Sequence, residues 1–297
     1  MARWSCFGRW GASDLVRVTF WGVRGSVPVP GPAVAGYGGN TSCVQITGAD
    51  GSQVILDAGT GIRALGLALA GRSRRVHILL THLHLDHIQG LMFFAPLFDP
   101  STEVTIWGPA SEHRPLRERL GRYLSQPLSP LEIRDLPAHV RFEDALRPAW
   151  RIGDLQVKAA LVAHRGPTLG YRLTAESSSV CYLPDHEPGL GEDLGTAEPD
   201  WISGYALAKD ASLLIHDCQY DDVEYGRRRG WGHSRVSDAL TFAHRSRCGR
   251  LMLTHHDPDH DDARLQQIGE HVAERWAQLG GDGTPGLARE GQVIEVG

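Results

Sequence analysis

The run Thr81-His82-Leu83-His84-Leu85-Asp86-His87 follows an apolar stretch, Val76–Thr81, that reads as a buried strand, and it constrains this chain more than any other feature. Three of the chain's 15 histidines fall within these few positions, together with an aspartate. His82 and His84 are two apart, so in extended backbone both point the same way. Asp86 and His87 then fall on the first turn of the next helix and point to a neighbouring position. One short segment thus offers two pairs of ligands, suited to two metal ions side by side. Imidazole and carboxylate suit zinc, manganese or iron, and the absence of thiolates argues against a purely structural zinc. The plain alternative, a polar loop that happens to hold histidines, does not account for this spacing directly after a buried strand.

Four ligands do not complete two sites, so further ligands are expected where other strands end. His164 follows the alternating run Leu155–Ala163, whose period of two puts the odd-numbered apolar residues on one face and aims His164 at the other. Asp185 follows Val180–Leu183, and His255 follows Leu251–Thr254. Further strands are read at Val16–Gly22, Cys43–Thr47, Gln53–Asp57, Glu103–Trp107, Gly170–Thr174 and Ser212–His216. Helices are read at Ile62–Ala70, Ser111–Leu124, Ser237–Arg245 and Ala263–Leu279, the last with Leu265, Ile268, Val272, Trp276 and Leu279 as an apolar stripe. Strands followed by helices, twice over and without a linker, predict an α/β fold of four layers, two mixed sheets face to face with helices outside. Residues 15–297 are read as one domain and residues 1–14 as a loose extension.

Composition sets the outer limits. Of 297 residues, 41% are apolar and 22% charged, which is ordinary for a globular protein with a core. A formal charge of −5 and a pI near 6.3 give no bulk attraction for nucleic acid or an anionic membrane. Any polyanion would have to be held locally. No apolar run approaches the roughly 20 residues that span a bilayer, and no secretory signal opens the chain. Cys6, Cys43, Cys181, Cys218 and Cys248 are scattered, odd in number and never paired as Cys-x-x-Cys, which predicts a reducing, cytoplasmic setting.

With those residues in view, the sequence resembles the metallo-β-lactamase superfamily from about residue 16 onward. Leu56-Asp57-Ala58-Gly59 is similar to the first motif, whose Asp organises the ligands. His82-x-His84-x-Asp86-His87 is the second, and His164, Asp185 and His255 fall in order as the third, fourth and fifth. The resemblance implies one metal on His82, His84 and His164 and the other on Asp86, His87 and His255. Asp185 and a single hydroxide would bridge ions about 3.5–4 Å apart. Asp86 thereby counts as a catalytic residue as well as a ligand.

The branch is narrowed by residues outside the ligand set. Leu214-Ile215-His216-Asp217-Cys218-Gln219 is similar to the ribonuclease Z stretch ending His-Glu-Ala-Thr, and Gly232-His233-Ser234 to its His-Ser-Thr motif. That resemblance gives Asp217 and His233 the task of protonating the leaving oxygen, which requires a group titrating near neutral pH. Phe20-Trp-Gly-Val-Arg24-Gly-Ser26-Val-Pro28 with Tyr37-Gly-Gly-Asn40-Thr41-Ser42-Cys43 resembles a bacterial phosphodiesterase-like subgroup often linked to cyclic nucleotides. It is similar also to the openings of ribonuclease Z and of the cyclic phosphodiesterase of phosphonate breakdown. Arg24, Ser26 and Asn40 are therefore expected to contact substrate, as is His186 beside the bridging Asp.

The departures weigh as much. Ribonuclease Z carries a long basic arm that grips transfer RNA. Here 21 positions separate His164 from Asp185, and Lys158 and Lys209 are the only lysines. The expected activity is a dinuclear, metal-dependent phosphodiesterase acting on a small phosphodiester, a cyclic nucleotide among the options, with two divalent ions, zinc first and manganese or iron next. No extended nucleic-acid grip and no membrane are expected, and a homodimer is left open. The alternatives are hydrolysis of a carbon ester, thioester or lactam, tRNA 3′-processing, a one-iron sulfur dioxygenase, and a non-catalytic metal-binding module. The acidic tail Asp259, Asp261 and Asp262 reads as a helix cap, with His256 beside it.

Overall fold

The computed structural model describes residues 15–72, 74–190 and 193–297; the extension expected at 1–14 lies outside them. Two sheets of seven strands form the centre. The first half supplies β1 (Val16–Gly22), β2 (Cys43–Thr47), β3 (Gln53–Leu56), β4 (Arg75–Leu79), β5 (Glu103–Gly108) and β6 (His139–Asp144). The second supplies β7 (Trp150–Ile152), β8 (Leu155–Leu161), β9 (Leu169–Ala175), β10 (Ser178–Leu183), β11 (Leu213–Asp217), β12 (Leu251–Thr254) and β13 (Gly286–Leu287). β14 (Val293–Val296) then returns to pair with β1 in the first sheet. Strand order is β14-β1-β2-β3-β4-β5-β6 in one sheet and β13-β12-β11-β10-β9-β8-β7 in the other.

Val18, Phe20, Val44, Ile46, Val54 and Leu56 from the first sheet meet Tyr171, Leu173, Val180, Tyr182, Leu213 and Ile215 from the second in one dry layer. These are alternate residues along strands, as packing one face of each sheet inward demands. The outer faces are covered by helices. α1 (Ile62–Leu69) and α3 (Leu116–Gly121) lie on the first sheet, where Ile62, Leu65, Leu116 and Leu120 are buried against Ile55, Ile78 and Ile106. α6 (Val236–Ser246) and α7 (Asp262–Gln278) cover the second with Leu240, Phe242, Leu265, Ile268, Val272 and Trp276. Short α2 (Leu85–Ile88), α4 (Tyr205–Ala208) and α5 (Asp222–Arg228) complete the set. This is the expected αββα sandwich.

Several elements differ in extent. The helix expected over Ser111–Leu124 is confined to Leu116–Gly121, because Pro115 caps its start in an extended conformation. β8 stops at Leu161, so the alternation aimed at His164 does not reach it: Leu155 and Val157 are buried, Leu161 is exposed, and Val162 takes the inward place. Asp261 alone of the acidic trio caps α7, accepting from the Arg264 backbone NH; Asp262 instead accepts from Gly36 and Tyr37 NH, tying the loop before β2 to this helix. No helix among the described residues is long and apolar enough to cross a membrane.

What positions the site is strand direction. β4 runs parallel to β3. β8 and β10 are both antiparallel to β9, and β10, β11 and β12 are mutually parallel. The ends of β3, β4, β8, β10, β11 and β12 therefore meet along one edge of the sandwich, and all seven residues expected as metal ligands follow one of them.

Candidate metal centre

Asp57 follows β3 in the left-handed region (φ 61°), as His255 does after β12 (φ 61°). Non-glycine residues rarely adopt it, and it is held here because the side chains are needed where they point. The Asp57 carboxylate is fully buried and accepts from the Thr81 backbone NH (2.8 Å), the Thr81 hydroxyl (3.0 Å), the Tyr182 hydroxyl (3.1 Å) and His87 Nδ1 (2.8 Å). One carboxylate thus fixes the start of the histidine segment and the orientation of its last imidazole.

The same device recurs around the cluster. His82 Nδ1 is 3.0 Å from Thr81 Oγ1, whose own proton goes to Asp57. His164 Nδ1 donates to the Gly232 carbonyl (2.7 Å) and His255 Nδ1 to Gln219 Oε1 (3.2 Å). In each ring Nδ1 carries the proton, so Nε2 presents a lone pair to the centre. His84 turns its Nδ1 to within 3.3 Å of His164 Nε2, close enough for one ion to take both nitrogens.

Among the described residues five overlapping groups of three donors lie mutually within 4.8 Å. Two of them, His82, His84 and His164, and Asp86, His87 and His255, share no residue and match the expected division; the other three bring in Asp185, His233 or Asp217. Asp185 stands between the first two. Its Oδ1 is 3.8 Å from His82 Nε2, 3.7 Å from His164 Nε2 and 3.4 Å from His255 Nε2, and its Oδ2 is 3.0 Å from His87 Nε2. The structure therefore brings together all seven residues expected as ligands. His82 Nε2, His87 Nε2 and Asp185 Oδ2 are buried and lack a properly aligned hydrogen bond. Orphaned acceptors converging in a dry site are costly, and divalent cations fit them. The charges agree. Burial raises the Asp86 and Asp185 carboxyls, but the neighbouring imidazoles outweigh it and hold both well below the usual carboxylate range. Burial lowers His87, yet Asp185, Asp86 and Asp57 together push it well above the ordinary histidine value.

Beside this cluster, His233 Nδ1 donates to Asp217 Oδ2 at 2.7 Å, and Nδ1 lies 3.9 Å from Asp185 Oδ1. Asp217, buried at the end of β11, also accepts from the backbone NH groups of His186, Gln219 and Ser234. The His233 ring stacks on His255 with centroids 4.9 Å apart. Burial lowers its pKa, only partly offset by Asp185 and Asp86.

The substrate contacts fare differently. Ser26 is at the site, but through its backbone: its NH donates to Asp86 Oδ2 (2.8 Å). Arg24 is not. Its side chain is wholly buried, and Nε and Nη1 donate to the carbonyls of Gly38, Asp257 and His260, bracing the loop before β2 against the one after β12, while Nη2 is buried without a partner. Asn40 gives both its backbone and side-chain NH to Glu290. His186 points into the core beneath α6, with Nδ1 2.9 Å from His216 Nε2 and its ring against Phe242. These three corrections share a cause: a polar residue near a motif was read as facing substrate when its partners are main-chain groups or buried side chains. His256 likewise is spent on the Ala288 carbonyl. Sequence reasoning missed Gln219, which orients His255 and whose amide NH2 lies 3.4 Å from Asp257, and Glu187, a buried carboxylate that accepts from Gly230 NH (2.8 Å) and Gly232 NH (2.7 Å). Only their closeness to Asp217 and Asp185 in sequence could have flagged them.

Residues 52–256 match the model of the Beta-lactamase superfamily domain. The chain belongs to the metallo-β-lactamase superfamily. Its similarity to curated relatives points to the ribonuclease Z-like branch: it is 26% identical to a ribonuclease Z of Kineococcus radiotolerans over 83% of this chain and 87% of that one. A ribonuclease Z of Haloferax volcanii is 24% identical, with 95% of each chain covered. Among solved structures, the short form of human tRNase Z superposes with a TM-score of 0.65 at 24% identity, covering 95% of this chain and 99% of that one. A diphosphatase of the PhnP family gives 0.64 at 16% identity, covering 95% and 97%. Those structures share the fold. Membership and donor set together make this superfamily protein a metal-dependent hydrolase.

Proposed function

We propose that this chain is a dinuclear phosphodiesterase for a small phosphodiester, a cyclic nucleotide among its candidates, with zinc as the resident metal. His82, His84 and His164 would hold one ion and Asp86, His87 and His255 the other, with Asp185 shared. The ions would supply Lewis acidity at the phosphoryl oxygens and a nucleophile drawn from water near neutral pH. The protein residues do the rest. Asp57, Thr81, Gln219 and the Gly232 carbonyl engage Nδ1 of His87, His82, His255 and His164, the tautomer that leaves Nε2 of those four rings for an ion. Asp217 holds His233 with Nδ1 protonated and Nε2 as the ring's remaining nitrogen, so a proton carried on Nε2 can pass to a departing alkoxide.

The observation that carries this reading is the Asp217–His233 pair set against Asp185 at 3.9 Å. A carbon ester, thioester or lactam with a good leaving group would leave that pair without a task. The names of the relatives favour a second reading, tRNA 3′-processing. Against it stands the connection from His164 to Asp185, where the sequence leaves room for no arm: β9, β10 and the tight turn between them take up most of it, and it holds no lysine. The deciding experiment sets bis-p-nitrophenyl phosphate and 2′,3′- and 3′,5′-cyclic nucleotides beside a 3′-extended tRNA precursor and a thioester and lactam panel, with zinc or manganese. Turnover confined to the precursor, or to thioesters and lactams, overturns the small-phosphodiester reading.

A further inference from the structure

Between α5 and His233 the chain reads Arg227-Arg228-Arg229-Gly230-Trp231-Gly232. Trp231 is 53% exposed, although it is one residue from Gly232, whose carbonyl takes the His164 proton, and two from His233. The loop beneath it is built, not loose. Glu187, 1% exposed, accepts from Gly230 NH and Gly232 NH on either side of the tryptophan and from the Tyr225 hydroxyl (2.7 Å). Gly230 (φ 79°) and Gly232 (φ 95°) adopt backbone that other residues resist, and a Cβ on Gly232 would fall 2.4 Å from His164 Nδ1. The backbone on both flanks of Trp231 is thus fixed next to His164 and His233 in the chain fold, while the indole is left open to solvent.

The surrounding charge is positive. Arg165, next in sequence to His164, donates through Nε to the Gly230 carbonyl (3.1 Å) and is exposed. It lines a cavity of about 510 Å³ shared with His82 and His84. Among the described residues, Arg165, Arg227 and Arg229 have no carboxylate in ion-pair range, whereas Arg228 is paired with Asp257 and lies over the Tyr220 ring. Exposed aromatic faces beside unpaired guanidinium groups are how proteins take a nucleobase and its phosphate, since every base has a π-face; fixed flanking backbone reduces what ordering the ring costs.

We propose that Trp231 is a stacking platform for the nucleobase of a nucleotide substrate, with Arg165 beside it for the phosphate. This rests on the phosphodiesterase reading and deepens it from a small phosphodiester to one that carries a base. Neither residue belongs to the metal or proton-donor machinery.

The test is calorimetric binding of adenosine 5′-monophosphate and of ribose 5-phosphate, which lacks the base, to the zinc-loaded protein and to Trp231→Leu and Trp231→Phe. The wild type is expected to bind the nucleotide about tenfold more tightly than the sugar phosphate. W231L should bring the two together by weakening the nucleotide alone, and W231F should keep most of the preference. No preference in the wild type, or a preference that survives in W231L, overturns the platform. The readout is separate from turnover: if no phosphodiester is hydrolysed yet the preference depends on Trp231, the phosphodiesterase reading falls and the base site stands. If phosphodiesters are hydrolysed without that dependence, the reverse holds.

Discussion

Two buried aspartates, one from each sheet, hold a histidine in the same way. Asp57 after β3 grips His87 through Nδ1 at 2.8 Å, and Asp217 at the end of β11 grips His233 through Nδ1 at 2.7 Å. Neither carboxylate is exposed. The pairs differ in what faces the far side of the ring. His87 Nε2 meets Asp185 at 3.0 Å and Asp86 at 3.3 Å, and the crowd of carboxylates pushes it well above the ordinary histidine value. His233 has Asp185 only at 3.9 Å from the nitrogen already engaged, and burial wins and lowers it. A ring surrounded by anions marks a place for a cation, and a ring that holds its proton weakly marks a place to give one away. Local charge, not the Asp–His contact, divides the roles.

The largest test of that division removes an anion from the cation's side. Asp86→Ala is expected to cut hydrolysis of bis-p-nitrophenyl phosphate by at least about 10³-fold, since loss of a metal position removes several kcal/mol of charge stabilisation. Its thermal unfolding should remain close to wild type. Near-normal turnover would mean Asp86 is not in the catalytic centre.

On the donor's side, His233→Ala should cost about 10²–10⁴-fold in kcat/KM on a substrate with an alkoxide leaving group. The loss should be much smaller on an activated nitrophenyl ester. In the wild type the alkoxide reaction should fall as pH rises through the lowered His233 value, below the ordinary 6.5, and this limb should vanish in the variant. Equal loss on both substrates would erase the distinction drawn above.

A smaller effect separates the aspartates directly. Asp57→Asn is expected to weaken zinc binding about 10–100-fold, because it unfastens His87. Asp217→Asn should leave zinc affinity unchanged while lowering turnover. Zinc competition with a chromogenic chelator reads both, and equal weakening would show that the pairs are not specialised.

The smallest effect concerns what lies behind each pair. His216, whose Nδ1 donates to the Asp217 carbonyl, is pushed down to about 4 by burial, and His256, behind the other end of the site, to about 3. Both folded values lie below the unfolded 6.5, so the unfolded chain binds more protons between pH 6.5 and about 4, and stability falls as pH drops through that window. Each group contributes about 1.4 kcal/mol per pH unit there. Urea unfolding at pH 6.5 and 5.5 should show the loss, and His216→Gln should reduce it; an unchanged slope in that variant would refute the buried neutral His216.

Much of the centre was legible because its donors cluster in sequence or follow apolar runs. His82 to His87 announce metal binding by spacing alone. His255 and Asp185 follow buried strands, and Asp57, Asp217 and His233 became visible through family resemblance. His164 was found by the wrong mechanism, since a loop and not strand alternation delivers it. Arg24, Asn40 and His186 misled because a sequence does not show where a side chain's partners are. Carbonyls, Glu290 and His216 claim them from 14 or more positions away. Of the fold, β6, β7, β13 and β14, the four strands at the sheet edges, escaped notice. Edge strands are half covered, so their apolar pattern is weak: β6 has no fully buried residue and β7 has one.

Because the donors gather at one edge of the sandwich, the other edge carries the tight turns: Gly48–Gly51 between β2 and β3, Gly153-Asp154 between β7 and β8, and Glu176-Ser177 between β9 and β10. That side is a handle. A cysteine for immobilisation, a fluorophore or an inserted peptide placed at Glu176 would leave the reactive edge facing outward, so the molecule can be anchored to an electrode or bead with its chemistry presented to solution.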